Sequence, residues 1–156
     1  MDYIKEKTAC FSGRRDIAAA DVPRLECKLF DMVKQLAEDG YNCFICGGAL
    51  GFDTLAATAV IKRKREFDIK LVIAVPHKGQ DAVWPEHDRK RYAYILDNAD
   101  HIVYLAEKYT HGCMQARNRY MVDNANLLVA YSDSAKGGTA YTCAYAIQQG
   151  VKRVYI

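Results

Sequence analysis

The sequence has little of what marks a membrane, secreted or disordered protein. Three prolines among 156 residues, with 51% hydrophobic residues, leave no room for a long disordered arm. No apolar run approaches the roughly 18 residues of a membrane span, and the first residues are charged where a signal peptide needs an apolar core. We therefore expect one cytoplasmic domain over residues 1–156, with no membrane contact.

An excess of charge of one sign is also lacking. The formal net charge is only +3, which does not demand a polyanionic partner. The basic runs, residues 62–65 and 89–91, fall near predicted helix ends, and at a helix C-terminus such as that near residues 62–65 cations complement the helix dipole. The charge disfavours a nucleic-acid partner but leaves that interpretation open.

Spacings typical of metal sites and of acyl-transfer enzymes are missing as well. The four histidines show no ligand spacing, and no Ser-His-Asp order or nucleophile elbow occurs. Cys43 and Cys46 lie three apart in a predicted strand, so they should point to opposite faces. We predict no metal site, no required cofactor, and cysteines that are mostly small buried hydrophobes.

What is present is a regular alternation of strand and helix patterns. The apolar and β-branched runs predict six strands, at residues 8–11, 42–46, 70–75, 101–105, 127–131 and 152–156. Amphipathic helical stripes separate them, the first opening near Asp21 and stopping at Gly40. This order predicts an α/β, Rossmann-like, doubly wound and mostly parallel sheet with helices on both faces. Its ligand site should lie at the carboxyl ends of the strands, where the strand order reverses.

The most informative segment runs from Cys113 to Met121 and is followed by a Gly-Gly-Thr turn at residues 137–139. Arg117 and its neighbour Asn118 open a helix after the fourth strand, and a guanidinium is a fork of donors suited to phosphate. Gly137, Gly138 and Thr139 open the next helix, where backbone N–H groups attract anions. Together they point to a nucleotide-like ligand.

Three other loops should share this rim, and one of them is residues 76–80 after the third strand. The glycines Gly47, Gly48 and Gly51 let the backbone approach a ligand, or simply make a tight turn before a helix. Asp53 either stabilises the N-terminus of the following helix with its negative charge or accepts a hydrogen bond from a ribose hydroxyl. We favour the first role. The first-strand loop contributes Gly13, Arg14 and Arg15, which we expect to contact the ligand rather than form an exposed basic turn.

With these residues in view, the chain resembles the SLOG superfamily over nearly its whole length, and most closely the YpsA/YoqJ-like branch. The superfamily includes LOG-type phosphoribohydrolases and the DprA/Smf DNA-processing proteins. The resemblance rests on four segments of the sequence, namely residues 11–15, residues 47–53, residues 113–123 and residues 137–141. It implies a site in which Met114 and Arg117 occupy the LOG enzymes' Met and catalytic Arg positions, while Asn118 replaces a Lys and Tyr141 replaces the catalytic Glu.

Because Tyr141 replaces the catalytic glutamate of the LOG enzymes, we consider three hypotheses about function. Cleavage of an N-glycosidic bond usually needs a carboxylate, so we favour a nucleotide or nucleotide-derivative binding protein, for ligands such as nucleoside phosphates, ADP-ribose or NAD, acting as a sensor or regulator. The first alternative is a nucleotide N-glycosidase with Arg117, Asp53 or Tyr141 as candidate catalytic residues and Asp53 or Glu107 replacing the glutamate. The second is DprA-like single-stranded DNA binding, with Trp84 or tyrosines stacking on bases. The resemblance also predicts a homodimer.

Overall fold

The computed structural model describes residues 2–131 and 136–156. Six strands alternate with five α-helices, as the sequence predicts, and their order along the chain is as follows: β1 (Thr8–Gly13), α1 (Val22–Glu38), β2 (Cys43–Cys46), α2 (Phe52–Arg63), β3 (Lys70–Val75), α3 (Glu86–Asp97), β4 (His101–Tyr104), α4 (Cys113–Asp123), β5 (Leu127–Tyr131), α5 (Gly138–Gln148) and β6 (Lys152–Tyr155). Two short 3-10 turns precede β1 and α1.

All six strands join one parallel sheet in the order β4-β3-β2-β1-β5-β6. The chain moves outward from β1 through β2 and β3 to β4, then crosses back to place β5 on the other side of β1. The order reverses between β1 and β5, which opens a crevice at their carboxyl ends. The expectation of a Rossmann-like, doubly wound sheet is confirmed.

Helices cover both faces of the sheet, and their apolar residues form two hydrophobic cores, one on each face. Helix α1 buries Leu25, Leu29, Val33 and Leu36 with α2 on one face. Helices α4 and α5 cover the other face around Met121, Val122 and Ala146. The spacing of Cys43 and Cys46 works as predicted, because Cys43 faces the second core and Cys46 the first.

Strand ends differ from the prediction by one or two residues. The largest difference is at β1, which continues through Ser12 and Gly13, residues that the sequence suggests are loop. Both pair with β5, Ser12 opposite Ala130 and Gly13 opposite Tyr131, so the partner strand extends β1. Within the described ranges no helix is both long and apolar enough to cross a membrane.

Candidate functional site

A cavity of about 470 Å³ opens at the crevice between the carboxyl ends of β1 and β5. All five predicted loops contribute to it, because parallel strands deliver their following loops to one edge of the sheet. The lining residues are Ser12, Gly13, Arg14, Arg15, Asp16, Ala49, Asp53, Gln80, Met114, Arg117, Asn118, Met121, Lys136, Gly137, Gly138 and Thr139. A volume of this size falls within the roughly 300–1,000 Å³ typical of small-molecule sites.

Arg117 is turned inward and is only 7% exposed. Its Nη1 donates to the carbonyl oxygen of Gly47, and its Nε donates to Asn118 Oδ1 at 2.8 Å. Burial lowers the pKa of the guanidinium, while the nearby Asp53 carboxylate opposes that shift. Arg117 thus ties α4 to the loop after β2 and still lines the cavity.

Asp53 lies in the first turn of α2 and is 6% exposed. Its Oδ2 accepts from the backbone N–H of Ala49 at 3.2 Å, so the carboxylate organises the loop that precedes the helix. Burial raises the pKa of Asp53 to about 6. Three interactions limit this rise, namely the attraction to Arg117, the hydrogen bond from the Ala49 N–H and the attraction to Arg15. A carboxyl group that titrates near neutrality therefore faces the cavity.

The glycines predicted in the loop after β2 brace the cavity rather than line it. A Cβ on Gly47 would lie 2.7 Å from both Arg117 Nη1 and Asp53 Oδ2, so the missing side chain makes room for those two groups. Gly51 has a φ of 77°, and a Cβ there would lie 2.2 Å from the Arg15 carbonyl oxygen. The backbone of the first-strand loop therefore packs directly on the start of α2, where the Phe52 N–H donates to the Arg14 carbonyl oxygen at 3.0 Å.

The glycine turn at the start of α5 meets the cavity from the opposite side. Gly137 has a φ of 97°, and the helix begins at Gly138. Among the described residues, the nearest atom to a Cβ on Gly138 would be Asn118 Nδ2 of α4, at 3.8 Å, which is an ordinary van der Waals contact. The first-turn N–H groups of a helix have no partner within it and carry its positive dipole end.

Tyr141 lies away from this cavity. It is 37% exposed, its hydroxyl accepts a hydrogen bond from Arg119 Nη1 at 2.9 Å, and it lines a separate open groove with His111 and Cys113. Glu107 is also outside the cavity, where its 83% exposed side chain pairs with Lys78. Of the carboxylates considered for chemistry, Asp53 alone is brought to the predicted site.

Several lining residues were not singled out by the sequence as site residues, namely Ser12, Asp16, Ala49, Gln80, Met121 and Lys136. Gln80 belongs to the loop after β3 that the sequence places on this rim, although it is not among the residues predicted to contact the ligand. Over the residues described, no cluster of three or more His, Cys, Asp or Glu side chains could hold a metal ion.

Solved structures with the same fold include two DNA processing proteins. The structure of DprA from Streptococcus pneumoniae superposes with a TM-score of 0.72 at 19% identity, covering 97% of this chain and 50% of DprA. The structure of Helicobacter pylori DprA, described for its single-stranded DNA binding mode, superposes with a TM-score of 0.71 at 19% identity. The match covers 65% of that protein. The molybdenum cofactor carrier protein of Chlamydomonas reinhardtii gives 0.60 at 20% identity, covering 96% of this chain and 76% of that one. These likenesses establish the fold.

Sequence comparison reaches further. The SPbeta prophage-derived protein YoqJ of Bacillus subtilis (strain 168) is 36% identical over 138 residues, covering 79% of this chain and 80% of YoqJ. A UPF0398 protein of Halalkalibacterium halodurans is 34% identical over 110 residues, and the match spans 68% of this chain but only 58% of that protein. The YpsA family model, described as the YspA SLOG family, matches residues 18–155. The predicted resemblance is confirmed, and this chain belongs to the YpsA SLOG family.

Proposed function

We propose that the protein binds a nucleotide or nucleotide derivative in the cavity between β1 and β5 and acts as a sensor or regulator. The observation that carries the proposal is the convergence of cationic groups and a helix N-terminus on one cavity of nucleotide size. Among the described residues that line it, the cations are Arg14, Arg15, Arg117 and Lys136, and the carboxylates are Asp16 and Asp53. Such an excess of positive charge, in a partly enclosed space, favours a phosphate-bearing ligand.

The glycine turn supplies the matching backbone donors. Helix α5 is 11 residues long, so its dipole is developed, and Gly138 and Thr139 place its first N–H groups at the cavity. Phosphate bound there would receive backbone hydrogen bonds together with the charge of neighbouring side chains. A binding role is favoured over catalysis because the residue at the glutamate position, Tyr141, lies in a different groove.

The experiment is thermal unfolding with and without AMP, ADP-ribose, NAD, other nucleotides and a short single-stranded oligonucleotide. A ligand at 100 times its dissociation constant adds about 2.7 kcal/mol to the free energy of unfolding, which raises the midpoint by a few degrees. A nucleotide-specific rise supports the proposal. If no nucleotide shifts the midpoint at millimolar concentration, the proposal is wrong.

A second candidate, a nucleotide N-glycosidase, is favoured by one observation: the Asp53 carboxyl lines the cavity with a pKa raised to about 6 by burial. Hydrolysis requires a water to attack C1′ as the bond to the base breaks, with one proton leaving the water and one reaching the base. Ionised Asp53 could take up the proton of the water near neutral pH, and the Arg117 guanidinium beside it would stabilise the negative charge of the carboxylate. Release of free base, seen by chromatography and lost in Asp53→Asn, would establish this activity.

The DNA-binding alternative rests on the fold shared with the DprA proteins, at 19% identity. Trp84, a candidate for base stacking, instead packs edge-on against Tyr92 at 5.2 Å between ring centroids. Arg89 and Lys90 have acidic neighbours in Asp81 and Glu86. An oligonucleotide shift that weakens steeply with salt would support DNA binding. Self-association stays a prediction, which light scattering at two protein concentrations would test.

A further inference from the structure

Gln80 anchors one end of the cavity with an unusual set of hydrogen bonds. It follows β3, and its Nε2 donates to the Gly48 carbonyl oxygen at 3.2 Å and to the Tyr92 hydroxyl at 3.0 Å. A carbonyl oxygen can only accept, so the nitrogen of the amide must face Gly48. This requirement fixes which way round the Gln80 amide lies.

The consequence concerns the amide oxygen. Both hydrogens of Nε2 are used, one on Gly48 and one on Tyr92. Among the residues described, no donor is bonded to Gln80 Oε1, although Gln80 lines the cavity. With both Nε2 hydrogens used, Oε1 is the polar atom of Gln80 left to bond a ligand, and it is an acceptor.

The amide is also held rigidly. Tyr92 is 7% exposed on α3 and packs against Trp84, so the hydroxyl that receives Gln80 is itself fixed. Gly48 has a φ of 69°, and a Cβ there would lie 3.2 Å from Gln80 Nε2, which explains how the backbone comes close enough to accept. A pre-oriented acceptor discriminates between ligands better than a mobile one.

Its position suits the end of a nucleotide distant from the phosphate. Gln80 follows β3, whereas the glycine turn follows β5, and β2 and β1 lie between these strands. Three strand spacings of about 4.8 Å separate the two loops by roughly 14 Å. A phosphate at Gly138 and Thr139 would thus direct the base of the same ligand toward Gln80.

We propose that Gln80 is a specificity-determining residue that accepts a hydrogen bond from an exocyclic amino group of the base, so that the site takes aminopurine and aminopyrimidine nucleotides. The inference rests on the proposed nucleotide binding and adds the class of base. A base with an oxo group at the same position would place two acceptors against each other. A site built around one hydrogen bond rejects ligands that cannot make it.

The test is calorimetric titration of the full chain with two matched pairs, AMP against IMP and CMP against UMP, which differ by amino and oxo groups. We expect the amino member of each pair to bind about tenfold more tightly, the effect of roughly 1.4 kcal/mol from one hydrogen bond. In Gln80→Met, which keeps the length of the side chain, the ratio within each pair should fall to about one. In Tyr92→Phe, which keeps the Gly48 contact, the preference should persist, even if the protein is less stable.

The ratio of affinities distinguishes specificity from support of the loop. A merely structural role would weaken both members of a pair equally in Gln80→Met and leave the ratio unchanged, which would overturn the inference. Equal binding of AMP and IMP by the wild-type protein would overturn it without any variant, while leaving the proposed function intact. Absence of binding by all four nucleotides would overturn this inference. The proposed function would fall with it only if ADP-ribose, NAD and the other nucleotides of the thermal-unfolding panel also gave no shift.

Discussion

Arg117 donates through Nη1 to the carbonyl oxygen of Gly47, a residue 70 positions earlier in the chain. This bond joins the second turn of α4, a helix that begins at Cys113 rather than at Arg117, to the loop after β2. A Cβ on Gly47 would occupy the space that the guanidinium uses. Arg117 therefore holds two walls of the cavity together and keeps the Asp53 carboxylate beside a cation. A ligand that enters the cavity meets a guanidinium already oriented by the protein.

Arg117→Ala should lower the free energy of unfolding by about 3 kcal/mol, because Asp53 stays buried without its cation and Gly47 loses a donor. Urea denaturation at pH 7.5 measures the change. The matched control is Arg119→Ala on the same helix, where the guanidinium contacts the exposed Tyr141 hydroxyl and little change is expected. Similar losses of unfolding free energy in both variants would show that the contacts of Arg117 with Gly47 and Asp53 have no special role.

Asp53 should make stability depend on pH between about 4 and 6. Its pKa is raised from 3.8 in the unfolded chain to about 6 in the folded one, so in this window the folded protein carries the extra proton. The contribution of Asp53 to the free energy of unfolding therefore falls by about 3 kcal/mol as pH rises through the window. Above the window it stays at this lower value.

The comparison that isolates this effect uses Asp53→Asn, which has no titratable group at the position. Urea denaturation of both proteins at pH 4, 5, 6 and 7 should show the wild type losing stability relative to the variant as pH rises. A constant difference across the series would mean that the Asp53 pKa is ordinary.

Gly138→Asp should weaken nucleotide binding while the protein stays folded. The position has space for a side chain, since a Cβ would lie 3.8 Å from Asn118 Nδ2, but a carboxylate there would repel phosphate at the start of α5. Calorimetry should show at least a tenfold loss, about 1.4 kcal/mol or more for one added charge. Gly138→Ala adds the Cβ without the charge and should retain most of the affinity; equal losses would indicate a steric effect.

Tyr141→Phe should leave both nucleotide affinity and stability close to wild type, because the hydroxyl contacts Arg119 in a groove outside the cavity. Tyr141→Glu, which restores the residue expected at the glutamate position, should likewise produce no release of free base. Binding measured by calorimetry and base release measured by chromatography check the two variants. A gain of base release in Tyr141→Glu would show that this side chain reaches the ligand.

The elements of the fold were accessible from local patterns. Apolar runs such as Leu71 to Val75 predict buried parallel strands, and the stripe through Leu25, Leu29 and Val33 predicts a helix, because both periodicities are properties of neighbouring residues. The end of β1 was misjudged because Gly13 becomes strand only through its pairing with Tyr131. That pairing joins residues far apart in the sequence.

The α/β order, the family and the rim on which the loops meet follow from the sequence alone, since strand and helix alternation leaves parallel strands with one carboxyl edge. The resemblance to the LOG enzymes also predicts that Tyr141 stands where those enzymes have a catalytic glutamate. The packing of the folded chain was needed to show that Gly47 and Gly51 brace the cavity, that Asp53 is buried with a raised pKa, that the Gln80 amide nitrogen is engaged, and that Tyr141 faces another groove. Those properties depend on which side of a helix or loop is packed against residues distant in the chain, and no local pattern records that choice.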